Sequence, residues 1–289
     1  MQQSQQITRR SASNLALAFV LLPKARREAM SALYAFCRQV DDVADEDSAP
    51  EAQRAEALAR WRADIRRACD GGVPEFAVNR ELQPVIQQFR LPFNLFDELI
   101  QGCEMDLHTR RYADFAALER YCYHVASVVG LLSIEIFGYQ NDACRNYAVA
   151  LGQALQLTNI LRDVRTDAAR GRIYLPQSEL QRCGVTEAEI LEGKFSERYQ
   201  RLAEAVAERA HSSYLAARQT LPPEDRRSMI AAELMGAVYW QLLRKLEDRH
   251  YHVFGPRSVR LGKPRKLWLI LRTWLKLSLG HASPNYGEM

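Results

Sequence analysis

Two short runs of oxygen-bearing side chains stand out in this chain. Asp41-Asp42-Val43-Ala44-Asp45 puts three carboxylates into five residues, and Asn159, Asp163 and Asp167 follow one another at steps of four. On a helix, residues four apart share a face with about 5–6 Å between their Cβ atoms, so Asp41 lies over Asp45 and the second set forms a row. Magnesium takes hard oxygen ligands and completes its shell with water and substrate phosphate. Two sparse carboxylate rows facing each other would therefore suit metal ions bridged by a diphosphate. Each row also has a plainer reading. The first is equally a solvated acidic helix end, and the second a polar face on which Arg162, Arg165 and Arg170 form ordinary helical ion pairs.

The elements that carry these rows read as helices. In Lys24 to about Glu46, Met30, Leu33, Tyr34, Cys37, Val40 and Ala44 form an apolar stripe at helical spacing. The run of aspartates therefore falls at a helix C-terminus, where the backbone dipole already presents partial negative charge. Such local conflicts cluster at functional positions. Leu151, Leu155, Thr158 and Leu161 make a comparable stripe beside the second row. Apolar positions recur at three and four residue steps almost throughout, and no segment alternates as a strand would. Breakers at Pro23, Ser48–Pro50, Gly71–Pro74, Pro92, Gly138, Gly171–Pro176, Gly184, Pro222–Pro223 and Gly255–Pro264 divide the chain without leaving an interdomain linker. The pattern predicts one all-α domain over residues 1–289.

Charge and cysteine usage narrow the function classes. The net charge is +4 over 289 residues. Seven basic residues and a single acid lie beyond Gly255, which leaves the body slightly acidic and argues against a nucleic-acid footprint. Six cysteines occur singly, without a zinc-type pair, as expected of free thiols in a reducing cytoplasm. The N-terminal stretch lacks a cleavable signal pattern, and no run is long and apolar enough to span a bilayer. Residues of about 264–279 mix Leu267, Trp268, Leu271, Trp274 and Leu275 with Arg265, Lys266, Arg272 and Lys276. That mixture fits a helix lying on an anionic membrane surface, and it fits equally a last core helix with solvated charges.

Three long segments, ALYAFCRQVDDVADE (32–46), RYADFAALERYCYHVASVVG (111–130) and ALQLTNILRDVRTDAARGRIYLP (154–176), occur in an order that resembles the squalene and phytoene synthase family of head-to-head prenyl transferases. The resemblance runs from Ser13 to about Trp274. It implies an all-α isoprenoid synthase fold around a central cavity, with Mg²⁺ held against substrate diphosphates by Asp41, Asp42 and Asp45 and by Asn159, Asp163 and Asp167. By the same resemblance Arg38 and Arg162 clamp phosphate, Gln156 contacts the second substrate, and Tyr34, Tyr121 and Tyr174 stand at the cavity. Asp106 takes a site role and Glu104 a structural one. Ser127 replaces a usual glycine in the cavity wall, and the phosphate contact that some relatives make through a basic residue close to Ser13 is left unassigned here.

The subfamily most similar in these blocks is the bacterial presqualene diphosphate synthases of the hopanoid branch. That similarity implies a Mg²⁺-dependent transferase joining two farnesyl diphosphates. A phytoene synthase or a full, reductive squalene synthase is the alternative enzyme. A non-catalytic homologue of the assembly-factor kind would be expected to show degenerate aspartate motifs, and here all five aspartates and Asn159 remain.

Overall fold

The computed structural model describes residues 2–10, 19, 21–46, 48–279 and 285–287; Ser13 lies outside them. Among the described residues there are thirteen α-helices and no strand, the one β feature being an isolated parallel bridge between Arg111 and Ile173. In chain order they are α1 (Gln2–Arg10), α2 (Lys24–Ala44), α3 (Glu51–Cys69), α4 (Ala77–Phe89), α5 (Phe93–His108), α6 (Phe115–Cys122), α7 (Val128–Phe137) and α8 (Ala143–Ala169). There follow α9 (Gln177–Cys183), α10 (Glu187–Leu191), α11 (Glu197–Thr220), α12 (Ile230–Glu247) and α13 (Lys263–Ser278). The expected breakers fall in the connections between them, apart from Pro264, which sits in the first turn of α13.

At 27 residues α8 is the longest helix, roughly 40 Å from end to end. It lies against α11 on one side and against α7 and α12 on others, while α2 packs with α3, α4 and α5 to form the opposite wall. Phe36 of α2 meets Trp61 and Phe96 edge-on, with ring centroids 5.9 and 5.2 Å apart, which ties α2 to α3 and α5. The buried apolar side chains connect into one core reaching from Phe19 to Tyr286.

Buried acids away from the two aspartate rows have structural partners. Asp64 accepts from the backbone N–H of Glu75 (2.6 Å) and Phe76 (3.0 Å) and from Asn79 Nδ2 (2.9 Å), holding the turn into α4. Asp225 accepts from the N–H of Gln140 (2.8 Å) and Asn141 (3.1 Å) just ahead of α8. Glu81, half-buried, likewise accepts from the N–H of Gln3 and Ser4 at the start of α1. These carboxylates satisfy donors that helix geometry leaves open.

Between α6 and α7 the chain makes one π-helical stretch, Tyr123–Ser127. Its residues read as continuous helix, so nothing in the local pattern signals it. Such a wide turn shifts the register of the side chains that follow it, and here Val125, Ala126 and Val129 come to face the interior cavity.

Candidate active site

A cavity of about 450 Å³ opens between α2, α5, the α6–α7 segment, α8 and α12. Its mouth is polar and its depth apolar. Of the residues singled out from the sequence, Tyr34, Arg38 and Asp41 line it from α2, Asp106 from α5 and Tyr121 from α6. Gln156, Asn159 and Arg162 line it from α8. The deeper wall includes Phe19, Leu33, Ile134, Phe137, Leu151 and Leu155. Gly152 belongs here for steric reasons: a Cβ on it would lie 2.6 Å from Ser127 Cα, so only glycine lets α8 pass the π-helical turn this closely. Ser127 does not narrow the cavity. It is buried, and its hydroxyl donates to the Val149 carbonyl at 2.8 Å.

The remaining aspartates stand around the rim. Asp42 is exposed and pairs with Arg38 Nη2 at 2.5 Å, while Arg38 Nη1 reaches Asp41 at 3.0 Å. Asp45 binds Arg170 Nη1 at 2.8 Å and Arg172 Nη1 at 2.7 Å, one on each oxygen. Asp163 is paired with the neighbouring Arg162. Asp167 and Tyr174 flank a small crevice beside Arg172. Arg54 Nη1 donates to the Ala44 carbonyl at 2.8 Å, so a cation caps the helix end where the aspartates crowd.

Three tyrosines stack next to this rim. Rings of Tyr121 and Tyr174 lie 5.1 Å apart, and Tyr112 stands 5.3 and 5.6 Å from them. The hydroxyls of Tyr121 and Tyr174 donate to the two oxygens of Asp106 at 2.9 and 2.7 Å. The Arg111–Ile173 bridge brings the partners together, since Ile173 N–H donates to Arg110 O at 3.0 Å and Gln177 N–H to Tyr112 O at 2.8 Å. Burial and the adjacent Asp106 raise both phenols far above their ordinary value, so they remain neutral donors.

The carboxylates carry unbalanced negative charge. Asp41 is half-buried, lining the cavity among other carboxylates. That burial, with Asp45, Asp106 and Asp42 nearby, pushes its carboxyl up to about 6 against the pull of Arg38. Burial and Asp163 push Asp167 up to about 7. Asp106 is also raised, first by burial, in spite of its hydrogen bonds from Tyr174 and Tyr121. Asp45 behaves oppositely: burial acts to raise it, but the hydrogen bonds and charges of Arg172 and Arg170 outweigh that and hold it below its usual value.

This donor set fits a hard cation. Asn159 Oδ1 is buried without a hydrogen-bond partner, although its Nδ2 reaches Gln156 Oε1 at 3.4 Å. A buried amide oxygen left unpaired is costly, and together with raised carboxyls nearby it makes a site that gains by taking up a divalent ion. Among the described residues no group of three or more His, Cys, Asp or Glu side chains closes into a metal cage. Two half-sites completed by substrate phosphates are the arrangement magnesium ordinarily uses.

Sequence reasoning did not single out Arg172 or Tyr112. A run of acids at a helix end requires nearby cations, and that requirement was the available signal for Arg172. Tyr112 lies inside a quoted segment but carries no periodic mark. Glu104, expected to be structural, is gripped by Arg62 through two hydrogen bonds of 2.7 and 2.8 Å.

The profile of the squalene/phytoene synthase family matches residues 8–265. The chain is 37% identical over 262 residues to a presqualene diphosphate synthase of Rhodopseudomonas palustris, covering 90% of this chain and 92% of that protein. It is 38% identical over 257 residues to the presqualene diphosphate synthase of Zymomonas mobilis, covering 87% and 86%. Among solved structures, a dehydrosqualene synthase in complex with a ligand superposes with a TM-score of 0.86 at 28% identity, over 96% of this chain and 95% of that one. Helical architecture, cavity and aspartate-bearing helices thus agree with what the sequence blocks implied, and the chain belongs to the squalene/phytoene synthase family.

Proposed function

We propose that this protein joins two farnesyl diphosphates head to head into presqualene diphosphate and releases one diphosphate. The observation that carries the reading is the cavity itself: a mainly apolar pocket lined at its polar end by Arg38 and Asp41 of α2 and by Asn159 and Arg162 of α8, each within its aspartate-bearing stretch. Similarity to presqualene diphosphate synthases supplies the substrate and product.

Asp41, Asp42 and Asp45 on one side and Asn159, Asp163 and Asp167 on the other would hold Mg²⁺. Asp45 keeps lone pairs for this even while accepting from two arginines. When bound, the ion neutralises the diphosphate as it leaves. Arg38, Arg162, Arg170 and Arg172 supply charge-assisted donors to phosphate oxygens at the same rim. Breaking the allylic C1–O bond sends the electron pair to the departing diphosphate and leaves an allylic cation. The C2–C3 double bond of the second substrate attacks that C1, and loss of a proton from C1 closes the cyclopropane. Tyr121, neutral and lining the cavity, offers an aromatic ring to the developing cation without providing a nucleophile. The apolar depth excludes the water that would quench it.

The same reading places the enzyme on a membrane surface. One side of α13 is buried at Leu269 and Thr273, next to α12, so the helix is anchored to the body. Its other side exposes Leu267, Trp268, Leu271, Trp274 and Leu275. The helix contains no acid, and the guanidinium groups of Arg265 and Arg272 lie 5.0 and 5.2 Å from the Trp268 ring. An anionic bilayer matches both the charge and the apolar face. No helix among the described residues is long and apolar enough to cross a membrane.

Purified protein incubated with Mg²⁺ and either farnesyl or geranylgeranyl diphosphate, with products identified by mass, tests the reading. Formation of presqualene diphosphate supports it, and a product built only from geranylgeranyl diphosphate would replace it with phytoene synthesis.

A further inference from the structure

At the end of the cavity away from the aspartates, a buried acid plays no part in the chemistry above. Glu233 of α12 is 5% exposed. A carboxylate so far from water requires donors, and three reach it. Tyr147 Oη of α8 donates to Oε1 at 2.9 Å, Tyr286 Oη to the same oxygen at 2.5 Å, and Asn285 Nδ2 to Oε2 at 2.9 Å. Two of the three come from the last five residues of the chain.

Tyr286 is seated as closely as any core residue, at 2% exposure. Its ring lies on Gly236, one helical turn beyond Glu233, where a Cβ would stand 2.5 Å from the ring carbon Cε1. Its other side meets the Tyr214 ring of α11, centroids 5.6 Å apart. The C-terminal segment thus enters between α11 and α12 and reaches α8 through Glu233.

Tyr147 is the link to the cavity, which it lines along with Ala231, Ala232 and Met235 from the same stretch of α12. Asn159, at the polar mouth, lies twelve residues further along the same helix, about 18 Å away. A prenyl chain whose diphosphate sits at the mouth therefore directs its tail toward Tyr147.

We propose that Tyr286 is a positioning residue that sets the floor of the prenyl cavity and so limits the chain length accepted. It shares Glu233 with Tyr147, fixes the Tyr147 side chain, and packs over Gly236, next to the cavity-lining Met235, so that its ring backs the wall a longer prenyl tail would press against. This rests on the proposed function only in taking the ligand to be a prenyl diphosphate.

Binding of non-hydrolysable thiolodiphosphate analogues of farnesyl and geranylgeranyl diphosphate to the full chain tests the proposal without turnover. The wild type should prefer the shorter analogue. Tyr286→Ala should narrow that preference by about tenfold or more, a size typical of pocket discrimination on apolar bulk. Tyr286→Phe, which keeps the ring, should retain it even if its melting temperature falls. A purely structural tail would lower stability in both variants and leave the preference alone; that result, in folded Tyr286→Ala, overturns the proposal. Should Tyr286→Ala not fold, hydrogen exchange of the wild type decides. The longer analogue should loosen residues 285–287 and the shorter one should not, and exchange indifferent to ligand length is equally fatal. Failure of the wild type to bind either analogue would instead refute the prenyl diphosphate reading.

Discussion

Asp45 and Arg172 meet at 2.7 Å although 127 residues separate them in the chain. The contact joins the aspartate-bearing end of α2 to the loop leaving α8, so the two half-sites are tied directly rather than only through the core. Arg170 reaches the other oxygen of the same carboxylate at 2.8 Å. Asp45 is thereby kept ionised, and two guanidinium groups are held at the rim where diphosphate would sit.

Replacing Arg172 by Gln should lower kcat/KM by on the order of 10²-fold, the loss typical when one preorganised donor to a developing anion is removed. Arg172→Lys should restore little, because a single ammonium group does not reproduce the planar donor geometry. Steady-state kinetics on both variants checks this. Near-normal turnover in Arg172→Gln would remove Arg172 from the site.

Asp41→Asn and Asp163→Asn should each reduce turnover on the order of 10³-fold while leaving circular dichroism and melting behaviour largely unchanged. Burial and neighbouring carboxylates already raise Asp41, so a neutral isostere there relieves that cost rather than breaking the fold. Asp97→Asn should do the reverse. Asp97 accepts from Arg62 Nε at 2.6 Å, and the same Arg62 holds Glu104. Its loss should cost about 1 kcal/mol of stability with little effect on activity, as denaturant melts and rates measured side by side would show.

Part of this site was legible in the sequence and part was not, for physical reasons. Asp41, Asp45, Asn159, Asp163 and Asp167 were readable because helical spacing turns a linear pattern into a face. Most helix breaks were readable from Gly and Pro, but those at residues 109–114 and 192–196 were not. Arg172, Tyr112 and Tyr147 were not, because each acquires its role from a partner distant in sequence, and no local period records such a contact. The π-helical turn at Tyr123–Ser127 was hidden as well, since it uses ordinary helix-forming residues and depends on packing against Gly152 of α8. The sequence of α13 fits both a core helix and a membrane-facing one; Leu269 and Thr273 are buried against the body, while Leu271 and Leu275 are exposed on the side where the proposed membrane contact would be made.

The metal-free protein should lose stability as pH rises. Asp41 and Asp167 have folded-state values near 6 and 7, raised by burial and by neighbouring carboxylates, against about 3.9 in an unfolded chain. The folded state therefore binds these protons more tightly. The stability this contributes is full below about pH 4 and is lost as pH climbs through about 6 to 7. Melting temperatures of metal-free protein between about pH 5 and 8 should fall across that window, Asp167→Asn should flatten the fall, and Mg²⁺ with inorganic diphosphate should recover it on the alkaline side. A melting temperature that climbs throughout, unaltered in Asp167→Asn, would contradict the assigned crowding.

With farnesyl diphosphate and Mg²⁺ alone the product should be presqualene diphosphate, and adding NADPH should leave its mass unchanged. The similarity to two presqualene diphosphate synthases, at 37% and 38% identity, motivates this. NADPH-dependent squalene formation would make the protein a full squalene synthase without touching the assignment of its aspartate rows.

Finally, the full chain should sediment with vesicles containing phosphatidylglycerol at low salt and be released at high salt, while leaving neutral phosphatidylcholine vesicles in the supernatant. Four basic residues, Arg265, Lys266, Arg272 and Lys276, lie on or beside an exposed face that also carries two tryptophans. Attraction of such a face to anionic headgroups is screened within about a Debye length, roughly 10 Å at 0.1 M salt, which makes release by salt the expected signature. Deleting α13 is a poor control, because its inner side, with Leu269 and Thr273 buried, covers part of the body. Leu271→Glu with Leu275→Glu is the better one. Both side chains are exposed, at 55% and 44%, so the pair should preserve folding and turnover on detergent-dispersed substrate while abolishing sedimentation. If the double variant still sediments as the wild type does, the outer face of α13 is not the membrane contact.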